Sequence, residues 1–402
     1  MAKRIVITGS GVVSAIGVGK EENLQHLRTL SEGVAPVHYL HTDHVECMVG
    51  EVKLSNEEMK SRLGISADAS AIRTSLLGML ALQETLRDAG LSNEDLQECA
   101  FINGTTVGGM DKSEQFFLDY LRATQAEDVP VDYIRKHDCG SSTDLIADFA
   151  GHFCMTTSLS TACSSAANAI ILGARMIEAG EVERVVAGGA ECLSKFHLNG
   201  FNALMILDPT PCRPMDATRA GLNLGEGAAY LVLESEDSAR RRGARILGFL
   251  TGYGNACDAY HQTASSPDGD GAYLAMKQAL DHAGLNPEDI DYINCHGTGT
   301  PNNDLSELKA MERLFGNRIP PFSSTKGFTG HTTSASGSIE AVFCLMALEH
   351  QFLPVNLHYS QPIETGMIPV TPATSVPKKT IRRVLCNAFG FGGNDSSILI
   401  EL

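Results

Sequence analysis

The sequence predicts an α/β protein built from a duplicated unit, and three observations carry that prediction. The stretch Leu80–Asp95 aligns without gaps to Leu274–Asp289, with about half the positions identical. Two shorter echoes keep the same order: Thr8-Gly-Ser-Gly11 resembles Thr251-Gly-Tyr-Gly254, each after a strand-like run, and Gly227–Glu234 resembles Asp395–Glu401. With 402 residues, 43% apolar content and 39 glycines, the chain has enough material for a large buried core. One copy ends near residue 236 and the second starts near 244, with Ser238–Gly243 as the join. The expected halves are therefore 1–240 and 241–402, sharing sheets and helices rather than hanging on a linker.

In chain order, residues 4–17 read as a buried strand leading into a glycine turn. A dinucleotide-binding loop does not fit there. After Gly9 and Gly11 the third glycine position is Ser14, and no acidic residue ends a second strand at the required distance. Residues 75–90 carry helical apolar spacing and close on Gly90, a suitable C-terminal cap. Residues 110 to about 157, rich in Phe, Tyr and charge, read as an insertion confined to the first copy.

Next, Ser158–Ile170 passes from a β-like run to a small-residue helix, with Cys163 at the helix start. Unpaired backbone N–H groups and the positive end of the helix dipole favour a thiolate there. On this stretch alone a small buried core cysteine is the favoured reading, because buried free cysteine is common. In the second copy the strand Asp291–Cys295 runs into His296-Gly-Thr-Gly-Thr300, a polar loop at a strand's C-terminal end, where open α/β sheets bind ligands. Gly330-His331 then precedes a small-residue helix from Thr332 to about Leu348. Singly, each histidine is an ordinary turn residue. Jointly, a helix-start Cys and two His in glycine-flanked loops form a nucleophile with potential partners.

Composition excludes several classes. A formal charge of −17 argues against a nucleic-acid surface. The eleven cysteines are odd in number and none forms Cys-x-x-Cys, which disfavours a disulfide framework or a zinc ribbon, and no metal site is expected. The first residues show no signal-peptide pattern and no apolar run approaches membrane-spanning length, so a cytoplasmic protein without membrane association is expected.

The residues carry a resemblance over nearly the whole chain. Thr161-Ala-Cys-Ser-Ser165, Val186–Glu191, Phe201–Leu204, Asp258–Thr263, His296–Thr300 with Asp304 and Glu307, Ser324–His331 and Asn387–Gly393 resemble, in order, the motifs of the elongating type II β-ketoacyl-[acyl-carrier-protein] synthases, condensing enzymes. The resemblance implies a thiolase-like, duplicated five-layer αβαβα fold, usually a homodimer, with a heterodimer with a related synthase as the variant. It implies decarboxylative Claisen condensation of an acyl thioester on Cys163 with malonyl-carrier protein, in fatty-acid or polyketide synthesis. No cofactor is implied beyond the phosphopantetheine of the partner acyl carrier protein.

The resemblance also assigns residues. The backbone N–H groups of Cys163 and Phe391 would form the oxyanion hole, and His296 and His331, as neutral imidazoles, would stabilise an enolate. Lys326 would stand beside the histidines, held with Glu340 and the acids Asp304 and Glu307. Thr298 and Thr300 would bind the phosphopantetheine arm, while Val107, Met110 and Phe389 would line the acyl pocket, with Phe391 as its gate. A second cysteine of the thiolase kind is missing from Asn387–Asp395, and His331 stands where initiating synthases have Asn. Chain-length-factor-like silent subunits, the alternative, typically lack the cysteine. Departures from the pattern are Leu222 in place of Phe, Asn394-Asp395 in the last loop, and Ala71-Ile-Arg-Thr74.

Overall fold

A computed structural model describes residues 3–125 and 131–402, apart from the side chains of 131–133. The first half contributes β1 (Ile5–Ser14), α1 (Arg73–Ala89), β2 (Cys99–Gly104), α2 (Met110–Arg122), α3 (Cys139–Ala150), β3 (Met155–Leu159), α4 (Ser165–Ala179), β4 (Arg184–Glu191), α5 (Lys195–Ala203) and β5 (Gly227–Ser235). The second contributes β6 (Gly248–Cys257), α6 (Asp270–Ala283), β7 (Tyr292–Asn294), α7 (Pro301–Phe315), β8 (Phe322–Ser323), α8 (Ser336–His350), β9 (Arg383–Gly390) and β10 (Asn394–Glu401).

Strand order exposes the duplication. The first half runs β1-β5-β4-β2-β3 and the second β6-β10-β9-β7-β8, so both follow the pattern first, fifth, fourth, second, third. Pairing sense matches too: β2 is parallel to β3 and β4, and β7 to β8 and β9, whereas every pair made by the fifth strand is antiparallel. The halves join edge to edge where Ile5–Ile7 pairs with Gly248–Leu250.

Five layers result. α1 and α3 cover one outer face, α6 and α7 the other, and α4 and α8 pack on each other between the two halves of the sheet. That central layer explains the composition of α8, which is buried from Ser336 to Leu348 and has no polar stripe.

The glycine echoes have one physical cause. Residues 5–14 form a continuous strand with a bulge between Ile7 and Gly9, not the expected strand and glycine turn. A Cβ on Gly11 would lie 2.4 Å from the Ala81 carbonyl oxygen, and one on Gly254 would lie 2.1 Å from that of Ala275. Both glycines let a repeat helix lie directly on its strand. The aligned helices end alike, at Gly90 (φ 64°) and Gly284 (φ 65°), each followed by a capping box, Ser92/Asp95 and Asn286/Asp289.

The insertion forms α2, α3 and the approach to the edge strand β3, with residues 126–130 outside the described residues. Among the described residues no helix is long and apolar enough to cross a membrane.

Candidate active site

Cys163 lies between β3 and α4, in a turn tied by its own side chains. Thr161 N–H donates to Ser165 Oγ (2.8 Å), Ser164 Oγ to the Thr161 carbonyl (2.8 Å) and Asn168 Nδ2 to Thr161 Oγ1 (2.9 Å). Ala162 takes φ 52°, a left-handed conformation that costs energy in a residue with a Cβ and turns Cys163 sharply out of the strand direction. The small residues of the sequence motif are therefore used to build the turn and to seat α4 against its neighbours: Ala166, Ala167 and Ala169 are buried.

The thiol is itself buried, 5% exposed. Burial pushes its pKa up to about 12, against the opposing effects of the Lys326 charge, the Phe391 N–H and its own N–H. The helix start thus does not by itself favour the thiolate expected there: Cys163 precedes the N-cap Ser164, and desolvation outweighs the Lys326 charge and the two N–H groups. The backbones of Cys163 and of the Gly390–Phe391 loop converge here, and the N–H groups of Cys163 and Phe391 both act on the thiol. Gly390 makes this convergence possible: a Cβ there would lie 2.8 Å from the Thr161 carbonyl oxygen and 3.2 Å from the Cys163 nitrogen.

His296 follows β7, and the loop after it turns through Gly297 (φ 33°) and Gly299 (φ 84°) before Pro301 opens α7. Two buried acids hold this loop by its backbone. Glu307 accepts from the N–H groups of His296 (2.9 Å) and Gly297 (2.8 Å) and from Asn387 Nδ2 (3.0 Å); Asp304 accepts from Gly299 N–H (3.1 Å) and Met215 N–H (2.7 Å). Neither bonds Lys326, which corrects the expected grouping. The lysine instead meets Glu340 Oε1 at 2.5 Å and His296 Nδ1 at 3.5 Å.

His331 is fixed through its backbone, donating to the Asn223 carbonyl (2.7 Å) and accepting from Gly225 N–H (2.9 Å). Its ring stands edge-on to that of His296, centroids 5.1 Å apart. Burial, reinforced by the Lys326 charge, holds both imidazoles well below the usual histidine range, so they are neutral.

Cys163, His296 and His331 open onto one cavity of about 340 Å³, together with Thr298, Thr300, Phe389 and Phe391. Thr298 and Thr300 share a hydrogen bond (2.9 Å) on its wall. The Phe389 ring lies 5.7 Å from His296, and Phe391 stacks on Phe201 at 5.6 Å. Val107 and Met110 do not line this cavity. They pack under α1 with Leu76 and Ile146, because Val107 N–H is drawn to buried Glu191 at 3.1 Å.

Sequence reasoning missed several wall residues, among them Phe201, Met205 and Ile206, and the anchor Glu191. Phe201 and Glu191 carry a signal, since each lies in one of the motifs quoted above, and Glu191 is also the single acid ending a largely apolar strand. Leu222, flagged by its departure from the aromatic pattern, does line the cavity.

With this geometry described, comparison with known proteins is informative. Residues 2–239 match the beta-ketoacyl synthase N-terminal domain and residues 247–360 the C-terminal domain. The chain is 31% identical over 414 residues to the 3-oxoacyl-[acyl-carrier-protein] synthase 2 of Vibrio cholerae, covering 99% of each chain. It is 33% identical over 411 residues to Nodulation protein E of Rhizobium meliloti, covering 100% of both. Among solved structures, the ishigamide ketosynthase/chain length factor is similar with a TM-score of 0.93 at 31% identity, covering 100% of this chain and 99% of the other. A ketosynthase in complex with its chain length factor from Xenorhabdus doucetiae gives 0.85 at 31% identity, covering 100% of this chain and 98% of the other.

Proposed function

The chain belongs to the β-ketoacyl synthase family, and we propose that it is a condensing enzyme joining an acyl group on Cys163 to a malonyl unit by decarboxylative Claisen condensation. The observation that carries this reading is the convergence of one cysteine and two neutral histidines on a single cavity.

In the first step Cys163 Sγ attacks the carbonyl of an acyl thioester carried by an acyl carrier protein. The thiol proton passes to a neutral imidazole and from it to the departing phosphopantetheine sulfur, while the tetrahedral oxyanion accepts from the N–H groups of Cys163 and Phe391. In the second step a malonyl thioester occupies the same cavity, its arm between Thr298 and Thr300. The C–C bond to the carboxylate breaks, carbon dioxide leaves, and the electron pair becomes an enolate whose oxygen accepts from the two imidazoles. Lys326 fixes one of these donors: an ammonium facing Nδ1 of His296 leaves its ring proton on Nε2. The enolate carbon then attacks the acyl-Cys163 carbonyl, the C–S bond breaks, and the β-ketoacyl product leaves on its carrier. The steps balance with the carrier's phosphopantetheine and no cofactor held by this chain.

A homodimer is the assembly this reading favours. Among the described residues the edge strand β3 has no strand partner on its outer side, and α2 of the same half exposes Phe117, Tyr120 and Leu121, an apolar face suited to a second copy.

The deciding experiment is intact-mass analysis after mixing the protein with acyl carrier proteins loaded with acyl groups of different length. One acyl adduct, absent from Cys163→Ala, is expected, and Cys163→Ala should still release carbon dioxide from malonyl-carrier protein. Absence of any adduct from every carrier would instead favour a silent partner subunit.

A further inference from the structure

Away from the catalytic cavity, the loop that precedes Met48–Gly50 gathers a set of metal-binding donors. It reads His38-Tyr-Leu-His-Thr-Asp-His44-Val-Glu-Cys47, and ligand atoms of His44, Glu46 and Cys47 lie within 4.8 Å of one another. The backbone builds this cluster. Thr42 Oγ1 accepts from His44 N–H (3.2 Å), and Cys47 N–H donates back to the His44 carbonyl (3.2 Å), closing a turn that sets residues 44 and 47 side by side. Cys47 is anchored on the protein side: its carbonyl accepts from Val37 N–H (3.2 Å), and it belongs to a buried cluster with Val49, Leu193, Leu198 and Leu222. Glu46 closes the set from the solvent side, where its side chain is exposed.

The hydrogen bonding of His44 marks these residues as ligands. Nε2 faces Asn199 Oδ1 at 2.9 Å, and because an amide oxygen only accepts, Nε2 carries the proton. In the neutral ring Nδ1 is then a bare lone pair, and it faces Glu46 Oε1 at 3.2 Å. Two lone pairs at that distance repel unless a positive charge stands between them, which either a proton or a metal ion supplies. The spacing suits the metal: a nitrogen and an oxygen bound to zinc at ~2.0–2.1 Å and a tetrahedral angle lie about 3.3–3.4 Å apart. Asn199 then stands where a metal-bound imidazole keeps its outer hydrogen-bond partner, fixing tautomer and ring orientation. The donors fall at i, i+2 and i+3, outside the Cys-x-x-Cys pattern on which the expectation of no metal rested.

We propose that His44, Glu46 and Cys47 form a Zn²⁺ site, with water in the fourth position on the open side. Imidazole, carboxylate and thiolate together suit zinc, whereas calcium and magnesium take oxygen ligands alone. As the Zn–S bond forms, the Cys47 thiol releases its proton to solvent, and the thiolate and carboxylate charges balance the ion. The role is structural. Asn199 lies in α5, the helix that carries Phe201 on the cavity wall, and Leu222 of the same wall shares the buried cluster of Cys47. Bound metal clamps the loop to α5 behind that wall without touching the reacting atoms, so the inference is independent of the condensing mechanism.

The test titrates chelator-treated protein with Zn²⁺, reads stoichiometry by dialysis and elemental analysis, and repeats the titration with Co²⁺ for its absorption spectrum. Cys163, His296 and His331 offer a second set of donors, so Cys163→Ala is titrated beside the wild type. Cys163→Ala should bind one Zn²⁺ per chain with a micromolar or tighter Kd, and its Co²⁺ form should show a thiolate charge-transfer band. Asn199→Ala should weaken binding about tenfold, and His44→Ala, Glu46→Gln and Cys47→Ser should each weaken it more. Circular dichroism establishes folding; if Cys47→Ser is not folded, Glu46→Gln on the exposed side chain and the Co²⁺ band decide. No ion bound by Cys163→Ala, an affinity unmoved by both His44→Ala and Glu46→Gln, or a Co²⁺ spectrum without the thiolate band overturns the proposal. None of these results bears on Cys163 as the acyl-accepting nucleophile.

Discussion

Lys326 Nζ stands 3.5 Å from His296 Nδ1, and its other neighbour at 2.5 Å is Glu340 Oε1; all three residues are buried. The lysine therefore has two functions that one substitution separates. As an ion-pair partner it compensates Glu340, and as a donor to Nδ1 it selects the His296 tautomer. Lys326→Met should leave a buried carboxylate unpaired, a loss of about 3–5 kcal/mol if the acid stays ionised. The double variant Lys326→Met/Glu340→Met should regain much of the stability in thermal denaturation. It should not regain carbon dioxide release from malonyl-carrier protein, because the tautomer remains unfixed. Recovery of decarboxylation in the double variant would show that the lysine acts only through stability.

The two histidines give a pH prediction whose sign follows from burial. Both imidazoles sit well below their ordinary pKa of 6.5 in the folded protein. As pH falls through about 6.5 the unfolded chain binds protons that the folded chain refuses, so these groups reduce stability on acidification. The melting temperature should drop between pH 7 and 5.5, and His296→Ala should drop less while losing decarboxylation. NMR of ring-labelled histidine should show residues 296 and 331 neutral at pH 6, where exposed histidines are titrating. A midpoint near 6.5 for either ring would refute the neutral-donor mechanism.

How far the sequence reveals this site depends on the kind of structure each residue sits in. Cys163, His296 and His331 are recognisable because each occupies a turn, the first two after strands and the third after a short helix capped by Gly330, where glycines and small residues stand at fixed offsets and so mark the spot. The duplicated strand order was foreshadowed by glycine pairs, since close helix-on-strand packing permits no side chain there. Phe201 and Val107 lie where direction is set by tertiary packing. Phe201 faces the cavity from α5, whereas Val107 packs away from it with its N–H held by a carboxylate far away in sequence. Asp304 and Glu307 follow the same rule: i, i+3 spacing places them on one helix face but does not say which backbone N–H groups that face meets.

Gly390 supplies a test of the oxyanion hole that leaves every functional side chain in place. A methyl group there would press on the Thr161 carbonyl oxygen at 2.8 Å and on the Cys163 nitrogen at 3.2 Å, forcing the Phe391 loop away from the nucleophile. Gly390→Ala should lower acylation by ~10²–10³, the usual effect of losing one oxyanion donor. Decarboxylation depends on the histidines and should fall far less in Gly390→Ala. Equal losses in both steps would mean that the loop serves the whole cavity instead of the thioester oxygen.

Asp395 carries the opposite pH dependence. It is buried at the start of β10, its pKa pushed up to about 8 by burial and by the neighbouring Asp258 and Glu307 charges. Its Oδ2 would lie 2.1 Å from a Cβ on Gly271, so the acid fits tightly against the start of α6. A carboxyl raised this far holds a proton that the unfolded chain has already released above pH 4, and the protein loses stability as pH rises from about 4 to about 8. Asp395→Asn keeps the shape of the protonated acid and removes the titration. It should therefore leave the melting temperature at pH 5 nearly unchanged and raise it by a few degrees at pH 8. Because Asp258 N–H donates to the Gly393 carbonyl at 3.1 Å, relief of repulsion between the two acids should also steady the loop that carries Phe391. Thermal denaturation of both proteins across pH 5–8 measures the effect. A destabilisation by Asp395→Asn that grows toward pH 8 would show that the ionised acid is the stabilising form and would reverse this assignment.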